Sequence, residues 1–274
     1  MGQTKSMECI RFVDYDKGSH QKNLGVTNLS KYNEAAGKIM VALDVSSVEE
    51  ADHIIHDLQG IPCWMKVGMQ LYYAAGPQII LKLKKLGYKV FLDLKLHDIP
   101  NTVQGGSNSL ARLGVDMFNV HAVGGMKMMK AALAGVEEAI VSGQTPYEKG
   151  EFPLLIAVTQ LTSTDLCMLN EEIGIPGTVE HAVVRYARLA REAGLHGVVA
   201  SPLEVAAIKQ QCGPSFITVT PGIRPTGTSI GDQSRVMTPA EALGQGTDFV
   251  VIGRPITAAD NRRYALESIL KELT

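Results

Sequence analysis

The sequence predicts an α/β protein whose eight parallel strands close into a (β/α)8 TIM barrel. Three observations indicate this fold. Short apolar runs rich in β-branched residues alternate with longer segments of helical periodicity, and each kind occurs eight times. The segment in which they alternate, residues 38–274, is close in length to the ~250 residues of a typical barrel of this class.

The predicted strands are the apolar, β-branched runs. They cover residues 38–45, 63–69, 89–96, 117–123, 152–161, 197–202, 216–223 and 248–256. Continuous apolar runs of this kind are typical of strands whose two faces are both covered. The runner-up fold is an open, doubly wound sheet. Against it, no G-x-G-x-x-G motif follows the first strand, where Asp44 places a carboxylate instead.

The predicted helices are the segments of helical periodicity between and after these strands. They cover residues 48–58, 78–86, 103–113, 127–142, 179–193, 203–211, 239–243 and 258–273. Several are followed directly by glycine, which adopts the left-handed conformation that ends a helix at little cost. Ser46 or Ser47, and Thr178, are expected to cap helix N-termini.

Residues 1–37 differ from the rest because they are polar, mixed in charge and without clear periodicity. We interpret them as an N-terminal extension of uncertain order. The catalytic domain is expected to comprise residues 38–274.

The charge balance excludes several classes of partner. With 26 basic and 28 acidic side chains, the chain carries no electrostatic signature of a protein that binds nucleic acid or an anionic membrane. No apolar run approaches the ~20 residues of a membrane span, and no secretory signal is evident. The four cysteines form no C-x-x-C pair, and no cluster has convincing metal spacing. These features predict a cytoplasmic protein without a metal.

Polar and charged residues recur near the carboxyl ends of the predicted strands, where the chemistry of such barrels is located. They are Asp44, Lys66, Asp93, Lys95, Thr162, Arg224 and Arg254. In the third strand, alternation places Leu92, Leu94 and Leu96 on one face. Asp93 and Lys95 then enter the barrel mouth, where ions need partners. The alternative is an ion pair that only stabilises the barrel; a second carboxylate at Asp98 favours a catalytic role.

A second feature predicts an anion site. Residues 220–224 open a loop rich in Gly, Thr and Ser, and Gly253 and Arg254 follow the last strand. The loops after strands seven and eight commonly bind phosphate in these barrels. Backbone amides at Gly253 and Arg254, the Arg254 guanidinium and the Gln233 amide would satisfy a phosphate dianion. The alternative is a simple turn, but the position favours a phosphate-binding barrel.

At this point the sequence resembles a known family, the bacterial orotidine 5′-monophosphate decarboxylases, from about residue 38 to the C-terminus. Residues 91–102 are similar to that family's Asp-x-Lys-x-x-Asp signature with its flanks. Six further segments resemble its other motifs in the same order: 42–44, 66–68, 158–163, 221–224, 232–235 and 253–254. The resemblance implies cofactor-free conversion of orotidine 5′-monophosphate to uridine 5′-monophosphate.

The resemblance also implies a role for each matching residue. Lys95 would protonate C6 of the pyrimidine, Asp93 would face the departing carboxylate, and Lys66 would complete a Lys-Asp-Lys-Asp chain. Asp98 and Thr102 would reach the neighbouring site of a homodimer. The substrate would contact Asp44 at the ribose, Thr162 near the pyrimidine, and Arg224, Gln233, Gly253 and Arg254 on the phosphate side.

Two other functions stay open from the sequence. One is a magnesium-dependent sugar-phosphate decarboxylase or aldolase with a similar Asp-x-Lys-x-x-Asp strand. The other is a non-catalytic nucleotide-binding or scaffold protein that uses residues 1–37 as an interaction segment. A requirement for Mg²⁺ would favour the first, and nucleotide binding without turnover would favour the second.

Overall fold

The structure is a computed structural model and describes residues 24–148, 150–225 and 237–274. Within these ranges, eight strands form a closed, all-parallel barrel in chain order, and β1 pairs with β8 to complete it. The strands are β1 Ile39–Ala42, β2 Trp64–Gly68, β3 Lys89–Leu96, β4 Met117–His121, β5 Leu154–Val158, β6 Gly197–Val199, β7 Ile217–Thr220 and β8 Phe249–Ile252. The predicted (β/α)8 fold class is confirmed.

One helix, α1, precedes β1, and the others lie between and after the strands. They are α1 Leu24–Ala36, α2 Val48–Asp57, α3 Met69–Ala75, α4 Gln78–Lys85, α5 Pro100–Leu113, α6 Gly125–Val141, α7 Val179–Ala193, α8 Val205–Cys212, α9 Pro239–Gly244, α10 Arg254–Thr257 and α11 Arg262–Glu272. Each predicted helix is present. In the described ranges, no helix has the length and apolar composition needed to cross a membrane.

The helix ends follow the local signals in the sequence. The Ser47 hydroxyl accepts a hydrogen bond from Glu50 N at the start of α2, and the Thr178 hydroxyl accepts one from His181 N at the start of α7. Gly194 ends α7 at φ 93°, a left-handed conformation that favours glycine. Capping was therefore predictable from the sequence alone.

The structure differs from the prediction at the carboxyl ends of several strands. β1 ends at Ala42 and β8 at Ile252, whereas the sequence predicted strands to 45 and 256. Beyond these points the chain leaves the ladder; Gly253 becomes the residue that precedes α10, and Arg254 begins that helix. Apolar composition alone could not predict this, because the same residues pack equally well in a short helix.

A second difference is α1, in a segment to which the sequence analysis assigned no regular element. Ala35 and Ala36 are buried, Tyr32 packs against the core, and α1 contacts α11. Small alanines and one tyrosine give a weak periodic signal, so the helix is stabilised by tertiary packing more than by its own pattern. Residues 1–23 lie outside the described ranges.

Two apolar layers fix the position of the barrel mouth. One fills the space between the sheet and the helices. The other fills the barrel interior, with Met40, Trp64, Phe91, Met117 and Ile156 among its members. Along β2, β3 and β4 the interior positions that follow this plug are Lys66, Asp93 and Asn119. A polar layer therefore rests directly on an apolar floor.

Gly197→Ala is expected to destabilise the barrel by about 3 kcal/mol, the upper part of the range for overpacking. An added Cβ on β6 would lie 2.2 Å from the carbonyl oxygen of Ile217 and 2.7 Å from its Cβ on β7. A backbone atom in a closed sheet cannot move away easily. Urea unfolding followed by circular dichroism measures the change.

The matched control is Gly244→Ala in the last turn of α9, where an added Cβ meets nothing within 4 Å. Alanine there should raise stability by about 0.5–1 kcal/mol through helix propensity. Equal midpoints for the parent and Gly197→Ala would contradict the role assigned to this glycine.

Candidate active site

A cavity of about 680 Å³ opens at the carboxyl ends of the strands. Its floor is apolar, formed by Phe91, Val158, Val199 and Val251. Eight of the residues predicted from the sequence line it: Asp44, Lys66, Asp93, Lys95, Thr162, Arg224, Gly253 and Arg254. The volume lies in the range of small-molecule sites.

A row of alternating charges crosses this cavity. Lys66 Nζ lies 2.8 Å from Asp44 Oδ1 and 3.6 Å from Asp93 Oδ2, and Lys95 Nζ lies 2.7 Å from Asp93 Oδ1. The side chains of Lys66 and Asp93 are 8% and 15% exposed. Each buried charge thus has a partner of opposite sign, as burial requires.

The Asp93 carboxyl shows the balance of effects in this row. Burial is the largest single effect and raises its pKa, but the two lysines and the hydrogen bonds from Lys95 and Asn119 together outweigh burial. The net pKa lies below the ordinary value. Asp93 is therefore an anion at neutral pH, fixed between two cations.

Lys95 reaches this row through an irregular backbone. Within the described part of the chain, Lys95 is the one residue other than glycine whose backbone φ is positive, at 52°. The pairing register between β3 and β4 also shifts between Leu92 and Leu96. The regular alternation predicted for β3 therefore does not continue through Lys95. Both charges still line the cavity, but a bulge rather than an ideal strand places Lys95 there. Such strain persists only where the surroundings hold it.

Asn119 is a site residue that sequence reasoning missed. It is 1% exposed on β4, its Nδ2 donates to Asp93 Oδ1 at 2.7 Å, and its Oδ1 accepts from the Lys95 backbone N–H at 2.7 Å. The available signal was one amide between two apolar residues, Phe118 and Val120, of β4. Gln160 and Ser163, also missed, line the cavity on the loop after β5.

The cavity is also lined by Arg224, Gly253 and Arg254, which follow β7 and β8. Arg224 follows β7; its backbone N–H donates to the Met237 carbonyl and its Nη1 to the Ile223 carbonyl. Gly253 directly precedes α10. Two guanidinium groups therefore lie near the ends of β7 and β8. Gln233, also predicted here, lies outside the described residues.

Asp98 and Thr102 do not line the cavity of their own chain. Both are exposed, and Asp98 Oδ1 accepts a hydrogen bond from the backbone N–H of Ile99. Ile99 is itself 67% exposed. The Lys-Asp-Lys row therefore ends at Lys95 within one chain, and the expectation that Asp98 reaches a second copy stays a prediction.

The arrangement suits a reaction in which negative charge develops near Lys95. An ammonium held in a partly buried site stabilises an anion more strongly than it would in water. Within the described ranges, no group of three or more His, Cys, Asp or Glu side chains could hold a metal ion. The cavity thus combines an ammonium on β3 with guanidinium groups after β7 and β8 that suit an anionic group.

Comparison with known proteins identifies relatives of this chain. Residues 37–269 match the profile of the orotidine 5′-phosphate decarboxylase / HUMPS family. An orotidine 5′-phosphate decarboxylase of Moorella thermoacetica is 51% identical over 239 residues, covering 87% of this chain and 93% of the relative. One from Bacillus cereus is 49% identical over 234 residues, covering 85% of this chain and 96% of the relative.

Two solved structures resemble the fold. An orotidine 5′-phosphate decarboxylase from Lactobacillus acidophilus superposes with a TM-score of 0.75 at 40% identity, covering 86% of this chain and 98% of the other. An uncharacterized conserved protein from Geobacillus kaustophilus gives a TM-score of 0.75 at 43% identity, covering 86% and 100%. The matched part excludes most of the N-terminal extension, since the family profile begins at residue 37.

Proposed function

The chain belongs to the orotidine 5′-phosphate decarboxylase / HUMPS family, and from this premise we propose that it is a carboxy-lyase of pyrimidine biosynthesis. It converts orotidine 5′-monophosphate to uridine 5′-monophosphate and CO₂ without a cofactor. The observation that carries the proposal is the Lys95 ammonium, 2.7 Å from Asp93, in the cavity mouth. Relatives that are named for this reaction support it, and their sequences are 49–51% identical to this chain over 85–87% of its length.

The substrate lies across the cavity from the cationic side to the charged row. Its phosphate is bound by Arg224, Gly253 and Arg254, with Gln233 completing the site. The ribose contacts Asp44, and the pyrimidine lies near Thr162. This orientation brings C6 of the ring to Lys95, because the two ends of the cavity then hold the two ends of the nucleotide.

The chemical step is the cleavage of the bond between C6 and the carboxylate. CO₂ departs, and the bonding electron pair stays on C6 in the plane of the ring, where the π system delocalises it poorly. The Lys95 ammonium stabilises this developing carbanion and then transfers a proton from Nζ to C6. The products are uridine 5′-monophosphate and a neutral Lys95 amine, which takes up a proton from solvent.

Asp93 has a second effect. Its carboxylate lies beside the substrate carboxylate and repels it, so that loss of CO₂ relieves the repulsion. Lys66, held between Asp44 and Asp93, keeps Asp93 ionised and in place. We rank the repulsion second to stabilisation by Lys95, because stabilisation grows as the carbanion forms.

The direct test follows the ultraviolet absorbance of orotidine 5′-monophosphate with purified protein in EDTA. We expect turnover without added metal, because Asp44 and Asp93 are both paired with lysines in the protein itself. Activity that appears only with Mg²⁺ and a sugar phosphate would favour the magnesium-dependent sugar-phosphate decarboxylase or aldolase. Tight binding of uridine 5′-monophosphate without any turnover would favour a non-catalytic binding protein.

Arg254→Ala is expected to raise KM by about 10-fold or more, since hydrogen bonds to charged groups contribute ~1.5–3 kcal/mol. We also expect a lower kcat, because phosphate binding energy holds the reacting end of the substrate against the charged row. Steady-state kinetics separates the two effects. The control is Arg185→Ala on the outer face of α7, which should leave both constants unchanged. A change in KM alone would contradict the coupling.

The functional unit we propose is a homodimer in which Asp98 and Thr102 complete the partner's site. Both side chains are exposed on their own chain and separate from its cavity. Exposed Ile99, next to Asp98, supplies apolar area for the interface.

Two further expectations concern the location and the domain boundary. Cys63, Cys167 and Cys212 are free thiols. The cytoplasmic location remains a prediction. The catalytic domain we propose comprises residues 38–274, and α1 of the preceding segment packs against its core.

A further inference from the structure

The Asn119 side chain joins the two most important groups of the site. Its Nδ2 donates to Asp93 Oδ1 at 2.7 Å, and the same oxygen accepts from Lys95 Nζ at 2.7 Å. Its Oδ1 accepts from the Lys95 backbone N–H at 2.7 Å. One amide therefore contacts the carboxylate of Asp93 and the backbone that carries the Lys95 ammonium.

The backbone contact lies at the bulge. Leu92 pairs with Phe118 and Leu96 with Val120, so three residues of β3 oppose Asn119 alone on β4. A bulged residue is left without a normal ladder partner. The side-chain oxygen of Asn119 supplies the missing acceptor for the Lys95 backbone N–H, and Lys95 has a φ of 52°, which is strained for a non-glycine residue.

The two contacts need opposite hydrogen-bonding groups on one short side chain. A carboxylate could accept from Lys95 N–H but could not donate to Asp93, and it would place a second negative charge beside that residue. A leucine of similar volume could do neither. The asparagine amide carries both a donor and an acceptor on one short side chain and so meets both demands, which explains its presence on β4 at 1% exposure.

We propose that Asn119 is a positioning residue that holds the Lys95 ammonium and the Asp93 carboxylate in the geometry for proton transfer to C6. This inference rests on the proposed decarboxylase function for its kinetic consequence. Its structural part, the fixation of the Lys95 backbone, is independent of that function. Asn119 itself need not touch the substrate, because it does not line the cavity.

The experiment compares Asn119→Leu and Asn119→Asp with the parent enzyme in steady-state kinetics. Both variants should lower kcat by about 100-fold, the effect expected of a misplacement near 1 Å. KM, and the Kd for uridine 5′-monophosphate, should stay within about threefold, since phosphate and ribose are bound elsewhere. Asn119→Asp should fail despite keeping the acceptor for Lys95 N–H, because it lacks the donor and repels Asp93.

A second readout is hydrogen exchange at the Lys95 backbone amide, measured by NMR on the full-length protein. Protection should be lost in Asn119→Leu and retained in Asn119→Asp. Equal protection in the parent and Asn119→Leu would overturn the proposal, whatever the activity. Absence of turnover in the parent would instead refute the decarboxylase function, and exchange would still decide whether Asn119 holds the backbone.

The control variant is Thr218→Val on β7. Thr218 is also fully buried, and its hydroxyl donates to the Asp248 carboxylate at 3.0 Å, away from the cavity. It should lower the unfolding midpoint without changing kcat. If the Asn119 variants behave in the same way, losing stability while the folded protein keeps parental kcat, Asn119 is only structural and the proposal is wrong. Parental kcat in Asn119→Asp alone would also refute it.

Discussion

Lys95→Ala is expected to lower kcat by about 10⁴-fold or more, because general acid catalysis contributes ~10²–10⁴-fold and electrostatic stabilisation a further ~10²–10³-fold. The variant loses both the proton donor for C6 and the cation that stabilises the carbanion. Affinity for uridine 5′-monophosphate should change little, since the groups proposed for phosphate and ribose remain. Turnover by ultraviolet absorbance and product binding by calorimetry measure the two effects separately.

The matched control is Lys89→Ala at the opposite end of β3. Lys89 is exposed and lies over the Trp64 ring, 5.4 Å from its centroid, far along the strand from the cavity. It should keep parental kcat. If Lys95→Ala retained a tenth or more of parental turnover, proton delivery from this residue would be excluded, and the charged row would be a structural element of the barrel.

The charged row could be predicted from the sequence because its members follow strands at recurring positions. Asp44, Lys66 and Asp93 lie at interior or strand-end positions that alternation and the parallel order of the strands bring together. Strand alternation placed Lys95 in the correct cavity, but that argument did not include the irregular backbone of β3. Its bulge depends on pairing between β3 and β4, which no pattern within one strand encodes.

Asn119 shows the same limit from the partner strand. From the sequence alone, a single amide among apolar residues is equally consistent with a buried, hydrogen-bonded side chain that has no function. Its significance arises only when the register places it opposite the bulge. Local signals therefore predict caps and periodic faces, whereas contacts that depend on register between distant segments need the structure.

The same limit applies to the fold, because the order of its elements could be predicted but some of their boundaries could not. Strand and helix order followed from periodicity, but strand ends did not, because apolar residues such as Leu43, Val45 and Ile256 recur beyond β1 and β8, where the chain has already left the ladder. Helix α1 was missed because its buried side, including Ala35 and Ala36, is defined by packing on α11. Tertiary contacts, not propensity, decide such segments.

Asp98→Asn is expected to lower kcat by about 10²-fold, comparable to the loss of one positioning contact at a reacting centre. The physical reason is the proposed homodimer. In it, the Asp98 carboxylate lies next to Lys95 of the partner's charged row and stabilises that ammonium. Within the described residues, Asp98 makes no ion pair with its own chain. A change in the variant's kcat without a change in its unfolding midpoint would support a role in the site.

Hybrid dimers decide whose site Asp98 serves. Lys95→Ala and Asp98→Asn chains, co-expressed with different tags and purified in tandem, form dimers with one site that lacks both groups and one that has both. By twofold symmetry the hybrid should recover about half of the parental activity, although each homodimer is nearly inactive. A hybrid between Lys95→Ala and the double variant contains no complete site and should stay inactive. If the first hybrid is also inactive, Asp98 acts within its own chain, and the shared-site dimer is wrong, because complementation requires that the two groups of a working site come from different subunits.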